Sequence, residues 1–532
     1  MDRFADTEGC LAIHGRLLVR HTTDVQDLMG LSGLRFVAKS VVIAENTQLD
    51  SLDGLQQLRF VGRDLVVEGN DQLESMDLPL LHYVDRNFHV FDNPELSEMQ
   101  TPVLASIGAD LIIATSPLRT VDMPSLAYSG DDFIIQHMER LKSVSFPKLR
   151  HHLGRMLFEV NNQMHTVSFP QLKSVESNVE FHLNDALVDL EMPAMNFIGG
   201  QPIFIDNDSL STCEIQGLVD TTDIFDIGVE PFATRNGPQE CPLDFSPTAE
   251  CTIIEGDVVV NNQKDVDDLG AMGPECLSIR GGLFVRDTDD VIDMSALSGL
   301  RFVSEWVSIA KNDALASING LRNLRFIGYG LVVEENPELA RISLDALQVI
   351  GTVLHVFDQP TVDRLELPDV EAIGDQWVIG GVDDLQVANL RSLEWIGAQI
   401  QLENNDSLER VRLDNLEHAS DGVRVRFNHE LDAWRAPNLR HIGWDLNVHA
   451  NNTLDDIDMP LLEFVSGRIF IDNNRSLDNC DVYALVGQVD PYDVGGPVRI
   501  INSTAGGCPN FVEGQAGAIG QMPDFDDFDS ED

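Results

Sequence analysis

Residues 58–73 read LRFVGRDLVVEGNDQL, and residues 324–339 read LRFIGYGLVVEENPEL. Each copy contains a short alternating stretch, such as Leu65 to Val67, in which every second side chain of a β-strand points inward. A polar corner at Asn70 follows this strand in the first copy. One such segment cannot bury its own apolar side chains, so the fold depends on how often the segment recurs.

The chain is a tandem duplication. The motif LSGLRFV occurs at residues 31–37 and again at residues 297–303, an offset of 266 residues. The segments quoted above have the same offset, and Cys213 matches Cys480 at an offset of 267. Two halves that align along most of their length with a slip of one residue share one fold.

The duplication predicts the domain organisation. The first domain covers residues 1–245 and the second covers residues 246–510, with FSPTAE at their junction. Residues 511–532 form an acidic tail that we expect to be disordered.

Each half is itself periodic. An apolar residue recurs every 22 to 24 residues, and Asn and Pro recur in phase with it. The apolar series comprises Leu49, Leu73, Leu96, Leu118, Leu141, Met164, Leu187 and Leu210, then Leu315, Leu339, Val362, Leu385, Leu408, Leu431, Leu454 and Leu477. This unit is too short for a strand, a crossover helix and two loops, but it suits three short strands separated by corners. Asn tolerates a left-handed backbone and its side chain can bond neighbouring backbone groups, whereas Pro lacks a donor, so we expect both at corners.

The predicted fold class is therefore all-β, with two tandem right-handed parallel β-helices. These are leucine-rich-repeat-like, with coils of ~23 residues stacked at about 4.8 Å. Capped ends are required because no coil buries its apolar face alone. The alternative is a leucine-rich-repeat horseshoe with helices on its convex side. The Pro in each unit and the lack of a helical pattern between strands count against that alternative.

The composition is strongly acidic. The 532 residues include 88 Asp and Glu against 35 Lys and Arg, which gives a net charge of -53. This charge disfavours nucleic acid as a partner, because phosphate binding needs clustered cations. No apolar run reaches the roughly 18 residues of a transmembrane segment. The acidity fits a protein kept in high salt or a GC-rich genome that favours Arg codons, and both explanations stay open.

Six of the seven cysteines fall into three pairs. Two pairs, each 28 positions apart, follow the last coil of their half, and the third pair brackets a first strand and an N-terminal cap. We predict a disulfide in each pair: Cys213–Cys241, Cys480–Cys508 and Cys251–Cys276. No two cysteines have the close spacing of a zinc site.

Cys10 is left unpaired. It aligns with Cys276, and the equivalent of Cys251 would precede Met1. We therefore expect that a strand, a cysteine and a signal peptide have been lost upstream of Met1. Paired cysteines predict an extracellular, periplasmic or cell-surface location.

The stretch LSGLRFVAKSVVIAENTQLDSLDGLQQLRFVGRDLVVEGNDQL from Leu31, with its copy from Leu297, resembles the receptor L domain family. These are the ligand-binding domains of insulin- and epidermal-growth-factor-type receptors, with related domains in fungal cell-wall and bacterial surface proteins. The resemblance covers nearly all of residues 1–508. It implies a right-handed parallel β-helix, disulfide caps and extracellular protein binding. The halves here lack an intervening Cys-rich module and no kinase follows, so a bacterial surface protein fits better than a hormone receptor.

Strand alternation identifies side chains that point away from the core. A His and a Phe recur two residues apart in both halves, and two arginines stand out in an acidic chain. The candidate binding face comprises His89, Phe91, His355, Phe357, Arg424, Arg426 and His449. A solvated sheet face without function is the alternative interpretation.

The sequence offers no catalytic, metal or cofactor site. No carboxylate pair recurs in both halves, and the Gly patterns of phosphate and dinucleotide loops are absent. RHHLGR (150–155) has adjacent histidines but no third ligand, so we interpret it as a surface loop.

All five Trp lie in the second half, where exposed ones would mark a binding surface and buried ones would pack against caps or loops.

These observations predict a non-enzymatic secreted or cell-surface scaffold that recognises a protein or glycan ligand through a β-helix face. A carbohydrate-active β-helix enzyme is the first alternative. A structural envelope component without a specific ligand is the second.

Non-reducing peptide mapping by mass spectrometry tests the cysteine assignment. The expected result is cross-linked peptides that join Cys213 to Cys241 and Cys480 to Cys508. Free thiols at Cys213 or Cys480 would contradict it. A signal peptide and an in-frame cysteine encoded upstream of Met1 would account for Cys10.

Overall fold

The computed structural model describes residues 11–222, 226–245, 252–489 and 494–501. Most of these residues belong to coils of short strands, and each strand pairs in parallel with its equivalent one coil later, as Leu65 does with Phe88. The predicted all-β parallel solenoid with coils of about 23 residues is confirmed. The handedness of the coils and the domain boundary at residues 245 and 246 stay predictions.

The strands form two stacks of coils. Strands between residues 11 and 234 form the first stack, and strands between residues 252 and 501 form the second. Within the described ranges, no strand of one stack pairs with a strand of the other. Each stack has a seam sheet, which faces the other stack, a face sheet beside it, and short strands on the third side.

The strands of the first stack lie in four sheets. The nine-stranded seam sheet contains Leu11–Ile13, Leu34–Val37, Phe60–Val61, Tyr83–Val84, Ser106–Ile107, Tyr128–Ser129, His151–His152, Ser174–Val175 and Phe197–Ile198. The ten-stranded face sheet contains Leu17–Arg20, Val41–Ala44, Leu65–Glu68, Phe88–Phe91, Leu111–Ala114, Phe133–Gln136, Met156–Glu159, Val179–His182, Pro202–Ile205 and Phe232–Thr234. The third side has the pair Ser75–Asp77 and Glu98–Gln100, then Thr120–Asp122, Ser143–Ser145, Thr166–Ser168 and Asp189–Glu191.

The second stack repeats this plan. Its ten-stranded seam sheet contains Thr252–Glu255, Leu277–Arg280, Leu300–Val303, Phe326–Ile327, Val349–Ile350, Ala372–Ile373, Trp395–Ile396, His418–Ala419, His441–Ile442 and Phe464–Val465. Its eleven-stranded face sheet contains Val258–Val260, Leu283–Arg286, Val307–Ala310, Leu331–Glu334, Leu354–Phe357, Trp377–Gly380, Ile400–Glu403, Val423–Arg426, Leu446–His449, Ile469–Asp472 and Val498–Ile501. The third side has Arg341–Ser343, Arg364–Glu366, Val387–Asn389, Arg410–Arg412, Ala433–Arg435 and Asp456–Asp458.

A column of buried asparagines runs inside each stack. The backbone N–H of Asn428 donates to Asn451 Oδ1 at 3.0 Å, and Asn428 Nδ2 donates to the carbonyl of Leu402 at 2.9 Å. Equivalent bonds link the other asparagines in four groups, all of them fully buried: Asn46, Asn70 and Asn93; Asn161, Asn184 and Asn207; Asn312 and Asn336; and Asn405, Asn428, Asn451 and Asn474. Each amide therefore ties a corner of one coil to the next coil.

The structure confirms that the Asn side chains bond backbone groups, and it corrects the other reason that we gave for Asn at these corners. The left-handed backbone belongs to the preceding residue: φ is 54° at Glu45, before Asn46, and 56° at Phe427, before Asn428. The left-handed residue turns the chain so that the next side chain points into the core, where an amide can donate to one backbone group and accept from another at the same time. Even the β-branched Val160 adopts this conformation, at a cost of about 1 kcal/mol or more.

Helices close the ends of the stacks. Helix α1 (Thr212–Thr222) and helix α3 (Asn479–Gln488) follow the last full coils, and helix α2 (Gln263–Met272) lies at the start of the second stack. Short 3-10 helices occur at Met29–Leu31, Ser295–Gly299 and Asn319–Leu321. Among the described residues, no helix is long and apolar enough to cross a membrane.

The predicted Cys213–Cys241 disulfide is present, with a Cα–Cα distance of 4.8 Å, and it joins α1 to the chain that follows it. Cys276 and Cys480 are also disulfide-bonded. Their predicted partners, Cys251 and Cys508, lie outside the described residues. So do Cys10 and the tail at 511–532.

Asn428→Ala tests the asparagine column. The change leaves buried backbone groups of two coils without partners, so we expect the unfolding free energy to fall by about 3 kcal/mol. Urea denaturation followed by circular dichroism measures this loss. Asn319→Ala, at an exposed position, should change the unfolding free energy by less than about 0.5 kcal/mol. Equal effects of the two changes would refute a structural role for the column.

Candidate functional site

The two stacks lie side by side and antiparallel. In the seam strand Phe60–Val61, Val61 enters the core and Phe60 points towards the other stack. Aromatic contacts cross this seam, and the residue number rises along one stack as it falls along the other. The ring-centroid distances are 5.5 Å for Phe60–Phe464, 4.8 Å for Tyr83–His441 and 4.3 Å for Phe197–Phe326.

A pseudo-twofold axis passes through the middle of the seam. Tyr128 stacks on Trp395, with ring centroids 6.0 Å apart and an interplanar angle of 7°. Trp395 is the residue that matches Tyr128 in the sequence repeat. A contact between equivalent residues occurs on the axis of an isologous interface. The duplicated halves therefore pack as the two subunits of a symmetric dimer do.

Charged side chains fix the two stacks together. Asp85 of the first stack is buried and lies 2.9 Å from His441 Nε2, and it accepts a hydrogen bond from Ser466 at 2.9 Å. Burial raises the pKa of Asp85, although the charge of His441 acts in the opposite direction. Glu394 is similarly placed, with Tyr128 donating to it at 2.5 Å and Arg150 forming an ion pair.

The RHHLGR segment is part of this seam, so its interpretation as a surface loop was wrong. His151 is 2% exposed, and its Nε2 lies 3.1 Å from Glu371 Oε2. His152 points into the core, where burial lowers its pKa to about 4. The two histidines form a seam strand, and alternation places one side chain on each side of it.

A groove opens along one edge of the seam. Its floor is formed by the corners that lead from the seam sheets to the face sheets. The cavity holds about 810 Å³ and is lined by five coils of the first stack and six of the second. At Gly108, an added Cβ would lie 2.0 Å from the carbonyl oxygen of Asp85 one coil earlier. Glycine is therefore required for close stacking at this corner, and it leaves the floor free of side chains. We call this cavity the seam groove.

The two ends of the seam groove differ. At one end Arg63 and Arg86 stand on the first wall, and Trp444, 43% exposed, stands on the second. Nearer the pseudo-twofold axis, Asp131 and Asp375 line opposite walls. Partial burial is the main cause that raises the pKa of each of these two aspartates. At Asp131 the charges of Asp110 and Asp132 add to the effect, and the charge of Arg86 acts against it.

The predicted binding-face residues lie on the two face sheets, on either side of the seam groove. The ring centroids of His89 and Phe91 are 6.4 Å apart, and those of His355 and Phe357 are 5.5 Å apart. The two His–Phe pairs are on different sheets, so the structure does not gather them into one cluster.

The remaining predicted residues form ion pairs on the second face sheet. Arg424 and Arg426 lie 3.9 Å and 3.5 Å from Glu403, and His449 pairs with Asp472. Of the seven predicted residues, only Arg424 lines the seam groove. Among the described residues, no group of three or more His, Cys, Asp and Glu side chains is placed to hold a metal ion.

Sequence reasoning missed the residues that line the seam groove. A signal for them was present, because aromatic residues recur at the outward position of the seam strands, as at Phe36, Phe60 and Tyr83. Trp377, Trp395 and Trp434 are buried, which leaves Trp444 as the exposed Trp at the groove.

No family model matches the chain, and no curated protein is significantly similar to it in sequence. Among solved structures, a chain titled "Crystal structure of TLR13-ssRNA13 complex" matches 90% of this chain over 90% of its own length. The identity is 13% and the TM-score is 0.20.

Glu371→Gln tests the charges of the seam. Burial opposes ionisation of Glu371, but hydrogen bonds from His151 and Lys173 outweigh it and hold the pKa at about 2. Because this pKa is lower than in an unfolded chain, the ionised group stabilises the fold above about pH 4.5, and the contribution is lost as the pH falls towards about 2. The advantage of the unchanged chain over Glu371→Gln should shrink by about 2–3 kcal/mol across that range.

Urea denaturation at several pH values measures this difference. Glu74→Gln, an exposed substitution, is the control and should differ from the unchanged chain by less than about 0.5 kcal/mol at every pH. A pH-independent difference for Glu371→Gln would refute the assignment.

Proposed function

We propose that this protein is a non-enzymatic binding scaffold, secreted or displayed at the cell surface, which recognises a protein or glycan ligand. The observation that carries the proposal is the seam, because it holds two face sheets and the groove between them in one fixed arrangement. Binding sites are more precise when rigid elements support them than when loops do. The buried Asp85–His441 pair and the Tyr128–Trp395 stack supply that rigidity.

The proposed location is supported by the Cys213–Cys241 disulfide. Structural disulfides persist in oxidising compartments and are rare in a reducing cytosol. We also propose kinship with the receptor L domain family, on the basis of the stretch from Leu31 and its copy from Leu297.

One observation favours a second candidate function, the cleavage of a glycan. Asp131 and Asp375 face each other across the seam groove, and both have raised pKa values. Glycosidases use a pair of carboxyl groups, one of which holds a proton near neutral pH. Release of reducing ends from a glycan, abolished by Asp131→Asn, would identify the chain as an enzyme.

Glycan arrays and extracellular protein libraries, probed with the full chain, test the proposed binding function. The paired change Phe91→Ala with Phe357→Ala should weaken binding of the ligand by roughly tenfold or more, because aromatic side chains are common hot spots. Arg412→Ala, an exposed change on the third side, should leave the affinity unchanged. Absence of any ligand would favour a purely structural role and refute the proposal.

A further inference from the structure

Two unpaired arginines stand side by side in the seam groove. Arg63 and Arg86 belong to consecutive coils, and neither has an ion pair or a side-chain hydrogen bond within the described residues. On the other wall, Arg468 pairs with Asp445 at 2.7 Å. The charge of Arg86 acts on Asp131 further along the groove, but neither guanidinium group lies within ion-pair distance of a carboxylate among the described residues, so both can receive an external anion.

An exposed aromatic ring lies opposite these arginines. Phe60 and His441 contact each other across the seam, with ring centroids 5.2 Å apart. Arg63 lies three residues after Phe60, and Trp444 lies three residues after His441. Because Phe60 and His441 are in contact, Arg63 and Trp444 flank the same end of the seam groove. The face of an indole carries negative charge density, which attracts the polarised C–H groups of a sugar ring.

The shape of the seam groove favours a chain of rings. Its five coils on the first wall extend over about 19 Å, given ~4.8 Å per coil. Glycines such as Gly108 and Gly374 form a floor without protruding side chains or deep apolar pockets. Such a floor offers little to peptide side chains, which need separate pockets, and its polar lining offers little to a lipid.

Hydrogen-bonding groups lie further along the seam groove. Asp131 and Asp375, which have raised pKa values, and Gln399 face the cavity towards the pseudo-twofold axis. Carboxylate oxygens accept hydrogen bonds from the hydroxyl groups of a sugar, and an amide such as that of Gln399 can both donate and accept.

We propose that the seam groove binds an oligosaccharide that carries carboxylate groups. Arg63 and Arg86 hold a carboxylate, Trp444 packs on a sugar ring, and Asp131 with Asp375 binds hydroxyl groups beyond it. This assignment rests on the proposed binding function and names its ligand class.

Isothermal titration calorimetry of the full chain tests the assignment. The probe is a tetrasaccharide of uronic acid units, compared with the same tetrasaccharide after reduction of its carboxyl groups and with a sulfated tetrasaccharide. The paired change Arg63→Gln with Arg86→Gln should weaken binding of the uronic acid probe by roughly 30-fold, since two charge-assisted contacts are lost. Arg63→Lys with Arg86→Lys keeps the positive charge but removes the two-pronged guanidinium geometry, so it should weaken binding of the uronic acid probe less than the change to Gln does.

Arg119→Gln with Arg140→Gln is the matched control. Both residues are exposed, both lie near the third side, and the change removes the same charge. Thermal unfolding of every variant confirms that it is folded. Trp444→Ala should weaken the binding of both the uronic acid probe and its reduced form.

Three outcomes would overturn the assignment. The first is that the reduced probe binds as tightly as the uronic acid probe, and the second is that the sulfated probe binds more tightly. The third is that the Arg63/Arg86 variant and the Arg119/Arg140 control lose the same affinity. If a ligand binds and depends on Phe91 and Phe357 but not on Arg63 and Arg86, the binding function stands and the seam groove assignment fails. If nothing binds, both fail.

Discussion

The buried amide column constrains everything else in this structure. Each Asn must reach the corner of the next coil, as Asn428 reaches Asn451, so every coil must return to the same point after nearly the same number of residues. A coil with a different path length would leave buried N–H and carbonyl groups unpaired, at about 1–3 kcal/mol each. The ~23-residue period is the sequence record of that requirement.

This fixed register also builds the seam and its groove. Because each coil repeats its corners, Gly108 stacks on the corner of Asp85, and aromatic residues such as Phe60 and Tyr83 stand in one outward column. Two such columns meet between the stacks and bury charged groups beside aromatic rings. The groove follows from the same repetition, because its floor is a row of glycine corners and its walls are the residues that come next in each coil.

The sequence predicted the coil and missed the contact between coils of different halves. The period and the alternation are local properties, so they identified the strands and the outward positions of His89 and Phe91. The seam depends on which outward surface of one half packs against the other half, and local sequence patterns do not reveal this packing. Hence His151 was placed in a loop, and Arg63 and Trp444 went unnoticed. The corner Asn was located correctly and its side-chain bonds to the backbone were expected, but the left-handed conformation was assigned to the wrong residue, since a sequence does not reveal which of two adjacent residues is left-handed.

The stacking of Tyr128 on Trp395 has a consequence for the direction of recognition. Two separate copies of one repeat would make this contact with identical residues, and anything bound beside it could enter in either of two equivalent orientations. Joining the copies in one chain removed that degeneracy. Arg63 and Arg86 have Tyr329 and Thr352 as their counterparts, so the two ends of the seam groove differ chemically, and the two orientations of any asymmetric molecule placed there would not be equivalent.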